Sequence, residues 1–358
     1  MPVPFILGGL AAAAGLIGAK KGIDAKGKIK KIKKIQMSIE EIKEMSEKLM
    51  AKSKKETTNS LEDLGKNKLL IMSGSLKKFV DIYKNMKNVN FKEIGINDLE
   101  NFRPEQKDVK DLYVNTLQAS EIVIGGTTAV AGGALLAMGT YGAVMSGGFA
   151  LASTGTAIGT LSGVAATNAT LAWLGGGSLA TGGFGMAGGM VVLGGIVAGP
   201  ALALGGWLID NKAEEALYNA LSQKDEAIKF QKNVEQIVLL LKGIFNRSRQ
   251  IKICLEKIND IFENNIINFK EIVDNNGYDY ASYSQNDKST VAINVMLAKI
   301  IKIIIDTPVL DENGVLNKNS NIVVSCFSKV EISDNISDIN KYLSEYNMLC
   351  SKNGVNYV

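Results

Sequence analysis

The sequence predicts an all-α protein in which long helical coils flank a glycine-rich apolar region that enters a membrane, followed by a small C-terminal accessory subdomain. Three observations support this prediction. No charged side chain occurs between Glu121 and Asp210, a run of 88 residues that holds 24 of the 37 glycines. Apolar residues recur at alternating spacings of three and four on both sides of this run, as in helical coils. The first 19 residues form a second uncharged stretch.

These shifts in composition divide the chain into five segments. The flanks are rich in Lys, Asn, Ile and Glu, whereas the centre is rich in Gly, Ala, Leu, Val, Thr and Ser. The predicted segments are an apolar N-terminal membrane segment (1–22), a basic and amphipathic helical coil (23–120), a Gly-rich apolar membrane region (121–210), a long coiled-coil helix (211–272) and a C-terminal accessory subdomain (273–358).

The N-terminal stretch reads MPVPFILGGLAAAAGLIGA. Its length just suffices to span a bilayer, and it also suits an anchor lying in the membrane interface. Signal peptides carry their basic residues before the apolar run, whereas here Lys20 and Lys21 follow it. We therefore expect this segment to be retained rather than cleaved.

A lysine cluster follows directly and carries a net charge of +7 against the single acidic Asp24. Juxtamembrane clusters of this kind bind anionic lipid headgroups with about 1 kcal/mol per charge. No aromatic residues are interleaved for base stacking, so we expect lipid and no nucleic acid as the partner. The predicted headgroup contacts are Lys20, Lys21, Lys26, Lys28, Lys30, Lys31, Lys33 and Lys34.

The first coil has a heptad seam with glutamates and lysines on its outer face. A further helix is expected over 61–86, a loop or short turns over 88–104, and a helix again from about residue 106. The seam consists of Ile32, Ile35, Ile39, Ile42 and Leu49, with Ser46 in the remaining position.

The uncharged centre is interpreted as membrane-embedded helix, because a charge in mid-bilayer costs about 3 kcal/mol while an exposed charge in water costs little. At about 20 residues per span, its length accommodates four tight crossings or one long hairpin of two. The four units would be 122–145, 148–166, 171–186 and 191–209, of which the third is short and rich in glycine.

Small residues recur every fourth position within the centre, most clearly in GTAIGTLSG. In lipid this spacing lets helices touch backbone to backbone, which favours a homo-oligomer. The alternative is that the glycines only loosen the segment, so that it can refold between buried and inserted states. The predicted packing residues are Gly139, Ala143, Gly147, Gly155, Gly159, Gly163, Gly195 and Gly199.

The second coil has the longest seam, running from position 213 to 262 with only Gln223 and Ser248 interrupting small or apolar residues. No proline occurs between Pro200 and Pro308, so the spacing predicts one helix of about 55 residues. Such a helix needs partners, and the helices at 32–49 and 61–86 are the candidates.

The last 85 or so residues predict a different arrangement. A polar loop is expected over 275–287, a helix over 291–305, a turn over 306–314 and a final amphipathic helix over 336–348. The apolar run IVVSCF, 322–327, fits a short strand or a buried helix.

Catalytic chemistry has little support in the sequence, and we expect no enzyme, no cofactor and no metal site. Histidine is absent, which removes the commonest general base and metal ligand, and the three cysteines have no zinc or disulfide spacing. GFGMAG (183–188) matches a dinucleotide motif but lacks a preceding strand. GIDAKGK (22–28) resembles a phosphate loop but has Ile29 where Ser or Thr must follow.

The charges also predict an orientation. Lys20 and Lys21 place the end of the first segment in the cytoplasm, and the two large flanks carry no secretion signal. We therefore expect a bacterial inner-membrane protein with cytoplasmic coils and an even number of central crossings.

The opening MPVPFILGGLAAAAGLIGAKKGIDAK and the centre ATLAWLGGGSLATGGFGMAGG resemble those of uncharacterised bacterial glycine-zipper membrane proteins. The order of helix, apolar hairpin and helix is also similar in architecture to apolipoprotein-L-like and ClyA-like membrane-inserting proteins. The second resemblance implies that an inserted hairpin permeabilises membranes.

The sequence thus predicts a membrane-inserting, pore-forming helical protein that oligomerises through glycine-zipper helices. Two alternatives stay open at this point. One is a static membrane scaffold whose cytoplasmic coils recruit a protein partner, and the other is a soluble bundle with the apolar segment buried between the coils.

Overall fold

The computed structural model describes residues 19–96, 99, 102–124, 213–310, 316–330 and 336–354. Within these ranges every regular element is a helix, and the β contacts are two isolated bridges, Lys87 with Asp279 and Leu310 with Leu316. The prediction of an all-α protein is confirmed over this part of the chain. Of the predicted membrane segments 1–22 and 121–210, residues 1–18 and 125–210 lie outside the described residues.

The described part of the chain contains seven α-helices, one π-helical turn and two short 3-10 helices. The π-helical turn covers Met72–Leu76, and the 3-10 helices cover Phe91–Ile94 and Tyr280–Ser282. The α-helices are α1 (Ala19–Ile71), α2 (Lys77–Tyr83), α3 (Lys107–Ile124), α4 (Ala213–Asn276), α5 (Gln285–Asp306), α6 (Lys318–Phe327) and α7 (Ile336–Lys352).

These helices form two compact units, of which the first contains residues 19–56 and 213–242. It consists of the first part of α1 and the first part of α4. Met50 packs there with Val234 and Ile237 in a small hydrophobic cluster. One face of each helix is buried in this unit, and burial of an apolar face is what stabilises a long helix.

Helix α4 confirms the predicted single helix and is longer than expected, with 64 residues. Every predicted seam position from Ala216 to Phe262 is buried or half-buried. Beyond Phe262 the pattern continues through Phe269 to Val273, both buried. The extension follows from apolar residues that keep the three- and four-residue spacing after the predicted end.

Helix α1 departs from the predicted seam at one position. Ile32, Ile39 and Ser46 are buried as expected, but Leu49 is 39% exposed and Met50 takes its place. The step from Ser46 to Met50 is four residues where the heptad requires three, which rotates the apolar face around the helix. The contact of Met50 with α4 explains the shift, because only the rotated face meets that partner.

The second unit contains the described residues of 57–124 and 243–354. Its core is one hydrophobic cluster to which α1, α2, α3, α4, α5, α6 and α7 all contribute. At its centre Phe79 stacks on Tyr83 with ring centroids 5.0 Å apart and meets Phe262 and Phe269 from α4. Aromatic pairs of this geometry add about 1 kcal/mol beyond the apolar area that they bury.

The predicted separate helix over 61–86 is wrong in its start. Residues 61–71 are the end of α1, which passes without a break from the first coil into this region. The π-helical turn then leads into α2, and the helical path ends at Tyr83. No proline or glycine separates residue 49 from residue 61, so nothing in this stretch forces the helix to stop, and the residues at 57–60 that could cap a new helix lie within α1.

The predicted loop or short turns over 88–104 and the predicted polar loop over 275–287 are both more ordered and more buried than expected. Residues 88–104 include the 3-10 helix and bury Val89, Phe91 and Phe102. The predicted loop over 275–287 is short, because α4 extends to Asn276 and α5 begins at Gln285. Tyr280 and Tyr283 are buried, since their rings pack on Phe91 and on each other.

The C-terminal helices follow the predicted periodicity. The run IVVSCF belongs to helix α6 rather than to a strand, and α5 and α7 enclose the predicted helical stretches. Buried residues of these helices belong to the same core cluster as residues of 64–119. The predicted division into five segments remains a prediction, since two of its segments lie largely outside the described residues.

Candidate functional site

The predicted headgroup site lies in the first turns of α1. Lys30, Lys31, Lys33 and Lys34 are exposed, whereas Ile32 is buried with 4% of its surface accessible. At 3.6 residues per turn these four lysines occupy the arc of the helix opposite to Ile32. They therefore form an outward-facing cationic surface, which we call the lysine arc.

The lysine arc has no acidic neighbour that neutralises it within the described residues. Two ion pairs of α1 lie further along the helix, where Nζ of Lys48 is 2.6 Å from Oε1 of Glu44 and Nζ of Lys52 is 3.9 Å from Oε1 of Glu56. Burial of Ile32 and Ile39 against the rest of the unit keeps the arc directed outward. Its charges are thus accessible to an external anion.

The other four predicted headgroup contacts are not part of the lysine arc. Lys20, Lys21 and Lys26 belong to α1, but their side chains lie outside the described residues. Lys28 is half-buried and has a further interaction of its own. The structure therefore brings four of the eight predicted lysines together on one surface.

The predicted glycine-zipper residues, from Gly139 to Gly199, all lie outside the described residues. Among the helices that the structure describes, none is sufficiently long and apolar to cross a bilayer. Helices α3 and α4 border the uncharged region, with α3 ending at Ile124 and α4 beginning at Ala213.

The start of α4 is lined with small residues. Ala220 and Ala227 are buried in the first unit, ahead of Val234 and Ile237. Small side chains let neighbouring helices approach closely, while the larger residues that follow fill a wider gap. The buried face of α4 thus begins with small residues shortly after the uncharged region.

On the other side of the uncharged region, α3 is fixed in the second unit. Val109, Leu112 and Ala119 are buried, and α3 packs against the π-helical turn and α2. The buried hydroxyl groups of Thr116 and Ser120 donate to backbone carbonyls one turn earlier. Hydroxyls satisfied in this way carry no unmet polar group into the core.

The ammonium of Lys68 is a buried charged group that was not predicted from the sequence. Its residue is 1% exposed, and Nζ donates to the carbonyl oxygens of Ile305 at 2.8 Å and Thr307 at 3.3 Å. Burial lowers the pKa of Lys68 to about 8, while the charge of Asp306 acts in the opposite direction. One sequence pattern does indicate this burial, because Lys68 lies four residues after Leu64 and therefore on the same face of the helix.

The cysteines are three free thiols in the core of the second unit. Burial raises the pKa of Cys254 to about 12 and also raises the pKa of Cys326. A thiol reacts as the thiolate, so these environments disfavour nucleophilic chemistry. No group of three or more acidic or cysteine residues that could hold a metal occurs among the residues that the structure describes.

Comparison with known proteins gives no relative on which a function could rest. No protein family, no curated protein and no solved structure matches this chain. The resemblance to glycine-zipper and helical membrane-inserting proteins therefore stays a prediction. Function has to be argued from the residues themselves.

Proposed function

We propose that the protein inserts into membranes through its uncharged region, assembles there through its glycine-zipper helices and permeabilises the bilayer. The observation that carries this proposal is the run of 88 residues without a charge, which contains 24 glycines. A segment exposed to water has no reason to exclude Lys, Glu, Asp and Arg over such a length. A segment in hydrocarbon does, because each charge costs about 3 kcal/mol there.

The lysine arc supports the part of the proposal that concerns binding to the membrane surface. It belongs to the lysine cluster that directly follows the apolar N-terminal stretch, and its lysines are exposed with no carboxylate to neutralise them among the described residues. Anionic headgroups would supply the missing negative charge. The same charges are the basis for proposing that the flanking helices lie on the cytoplasmic side of a bacterial inner membrane.

The first unit supports the proposal because its two helices are connected to the two apolar segments. Both apolar segments immediately precede one of its two helices, since α1 begins at Ala19 and α4 begins at Ala213. A coiled-coil pairing of these helices would hold both membrane segments to one scaffold. The exposed part of this scaffold is also where a cytoplasmic protein partner would bind.

Vesicle leakage tests the proposal directly. The full-length protein, purified in a nonionic detergent, is diluted into vesicles of phosphatidylcholine with and without phosphatidylglycerol, each loaded with a self-quenched dye. We expect dye release that is faster with the anionic lipid and a homo-oligomer when the inserted protein is cross-linked. Absence of both leakage and lipid association would contradict the proposal.

Two other outcomes would assign a different role. Integration that resists carbonate extraction, without any leakage, would indicate a static scaffold. A monodisperse protein that remains in solution without detergent would indicate a bundle with the uncharged region buried inside it. Sizing with and without detergent distinguishes these two cases.

A further inference from the structure

A cavity of about 380 Å³ lies in the second unit between α4, α6 and α7. Arg247 lines it from α4, Lys318 and Asn321 line it from α6, and Leu349 lines it from α7. The cavity is within the range of 300–1,000 Å³ typical of small-molecule sites. Its wall combines two cationic side chains with the apolar side chains of Leu316, Ile322 and Leu349.

Among the residues that the structure describes, no acidic side chain balances the positive charge in this cavity. The described lining residues include no carboxylate, and no ion pair within the described ranges includes Arg247. Nη1 of Arg247 donates to Ser320 Oγ at 3.2 Å and Nη2 donates to Asn321 Oδ1 at 3.0 Å. Both acceptors are neutral, and the buried Nε has no hydrogen-bond partner.

A half-buried guanidinium without a counter-ion is energetically unfavourable, because removal from water weakens its solvation and nothing compensates for the loss. The desolvation lowers the pKa of Arg247 below its ordinary value. An anion in the cavity would restore the balance, since bonds from Arg to an oxyanion are shorter and stronger than bonds to neutral acceptors.

We infer that the cavity binds a phosphate group carried by a small organic molecule, with Arg247 and Lys318 as its charged contacts. Oδ1 of Asn321 accepts from Arg247, which leaves the amide nitrogen of Asn321 as an additional donor. Two cations and an amide offer more donors than a carboxylate uses, whereas a phosphate has three acceptor oxygens. The apolar wall accommodates the rest of the ligand.

The phosphate can come from a soluble ester or from a lipid headgroup, and glycerol 3-phosphate represents the chemistry common to both. Binding to the full-length protein in a phosphate-free nonionic detergent is measured by ³¹P NMR line broadening. We expect the wild type to broaden the signal and Arg247→Gln to weaken binding at least about tenfold, since it removes a charge-assisted hydrogen bond.

Arg249→Gln is the matched control, because Arg249 lies on the same helix, is exposed and does not line the cavity. It should bind glycerol 3-phosphate like the wild type. Lys318→Gln alters an exposed side chain, so it tests the site even if Arg247→Gln fails to fold, and it should bind several-fold more weakly. Absence of broadening by the wild type would refute the inference, as would equal binding by the wild type and Lys318→Gln.

Vesicles of phosphatidylglycerol distinguish the two sources. If Arg247→Gln weakens both glycerol 3-phosphate binding and vesicle binding, the ligand is a lipid headgroup. If it weakens only glycerol 3-phosphate binding, the ligand is a soluble phosphate ester. The cavity does not include the lysine arc, so failure of this inference would leave the proposed membrane insertion intact.

Discussion

At the scale of single residues, Lys68 is the side chain whose environment departs most from expectation. Its ammonium is buried and donates to the carbonyls of Ile305 and Thr307, at the end of α5. These carbonyls carry the partial negative charge of a helix C-terminus, which a cation stabilises. Lys68 thus joins the end of α1 to the end of α5 at the expense of its own hydration.

The pH dependence of stability follows from this burial. Since the pKa of Lys68 is about 8 in the folded protein and 10.5 ordinarily, the unfolded chain binds more protons between these values. The free energy of unfolding should therefore rise with pH over this window, by up to about 1 kcal/mol per pH unit, and the gain should be lost as the pH falls through 8. Urea unfolding of the wild type and Lys68→Met from pH 7 to 10 measures it.

In this experiment the difference in free energy between the two proteins isolates Lys68 from other titrating groups. Lys66→Met is the control, since Lys66 is exposed on the same helix and its removal should change stability at pH 7 by less than about 0.5 kcal/mol. A difference between wild type and Lys68→Met that stays constant over this pH range would contradict the prediction.

The buried cysteines predict slow thiol chemistry. Cys254, Cys326 and Cys350 are at most 1% exposed, and burial raises the pKa of Cys254 to about 12. We expect no rapid reaction of the folded protein with a disulfide reagent at pH 8, and three reactive thiols after unfolding in guanidinium. A fast reaction of any thiol in the folded protein would show that this core opens readily.

The buried residues that the sequence did not predict share a physical cause. Lys68, Tyr280 and Tyr283 carry polar groups, and neither Lys nor Tyr is among the residue types most often fully buried, so local pattern does not assign them to the core. Their burial depends on partners far along the chain, such as Phe91 for Tyr280 and Thr307 for Lys68. Such contacts are decided by tertiary packing, which periodicity does not contain.

At the scale of elements, the two long helices differ in how far their patterns could be predicted. Helix α4 follows its seam because apolar residues continue at alternating spacing for most of its length. Helix α1 changes phase at Leu49 and Met50, and either residue suits the heptad by composition. Only the position of the partner decides between them, so the phase change could not be predicted.

The two compact units predict that α4 has two levels of stability. Val234 is 1% exposed in the first unit, so Val234→Asn buries a polar group without a partner and should cost about 2 kcal/mol there. Hydrogen exchange should become faster over 213–242 and remain slow over 243–276. Leu240→Asn is the matched control, because Leu240 is exposed on the same helix.

Uniformly faster exchange along all of α4 in Val234→Asn would show that the helix unfolds as one cooperative element. Faster exchange in Leu240→Asn would show instead that this exposed surface of the first unit is covered by a partner. Either result would change the description of the first unit.

The glycine zipper yields a prediction for the uncharged region. Gly159→Ile places a branched side chain where small residues recur every fourth position, so it should reduce cross-linked oligomer and dye leakage while vesicle binding persists. Ala157→Ile is the control, since it introduces the same side chain with nearly the same added bulk, two residues away and about 200° around a helix from that face. Unchanged oligomer and leakage in Gly159→Ile would remove the zipper from the proposal.

At the scale of the whole molecule, the lysine arc should govern the attraction to membranes. Replacing Lys30, Lys31, Lys33 and Lys34 by Gln should weaken binding to phosphatidylglycerol vesicles at least about tenfold at low salt, because each lysine contributes about 1 kcal/mol. The effect should shrink as salt screens the charges. Vesicle co-sedimentation over a range of salt concentrations measures it.

The matched control replaces the four exposed lysines further along α1, which are Lys43, Lys48, Lys52 and Lys55. It removes the same charge from the same helix, and the ion pairs that it breaks are exposed and weak. Equal losses of binding in the two variants would mean that net charge matters and that the position of the lysine arc does not.

The sequence was informative about helices and less so about their grouping. The all-α class and the course of α4 follow from periodicity, which the order of residues contains directly. The joining of the C-terminal helices with residues of 64–119 in one core depends on contacts between distant parts of the chain. Of the candidate site, charge clustering predicted the lysine arc, while the outward direction of its lysines required the burial of Ile32.

The π-helical turn at Met72–Leu76 keeps core residues at four-residue spacing on one face of the helix. Leu64, Lys68, Met72 and Leu76 are all buried, although each four-residue step advances about 40° around an α-helix. The wider turn cancels this drift, as an inserted residue would. Deletion of Gly74 should therefore rotate the following residues about the helix axis. Phe79 and Tyr83 would then turn away from Phe262, although every side chain of the core is still present.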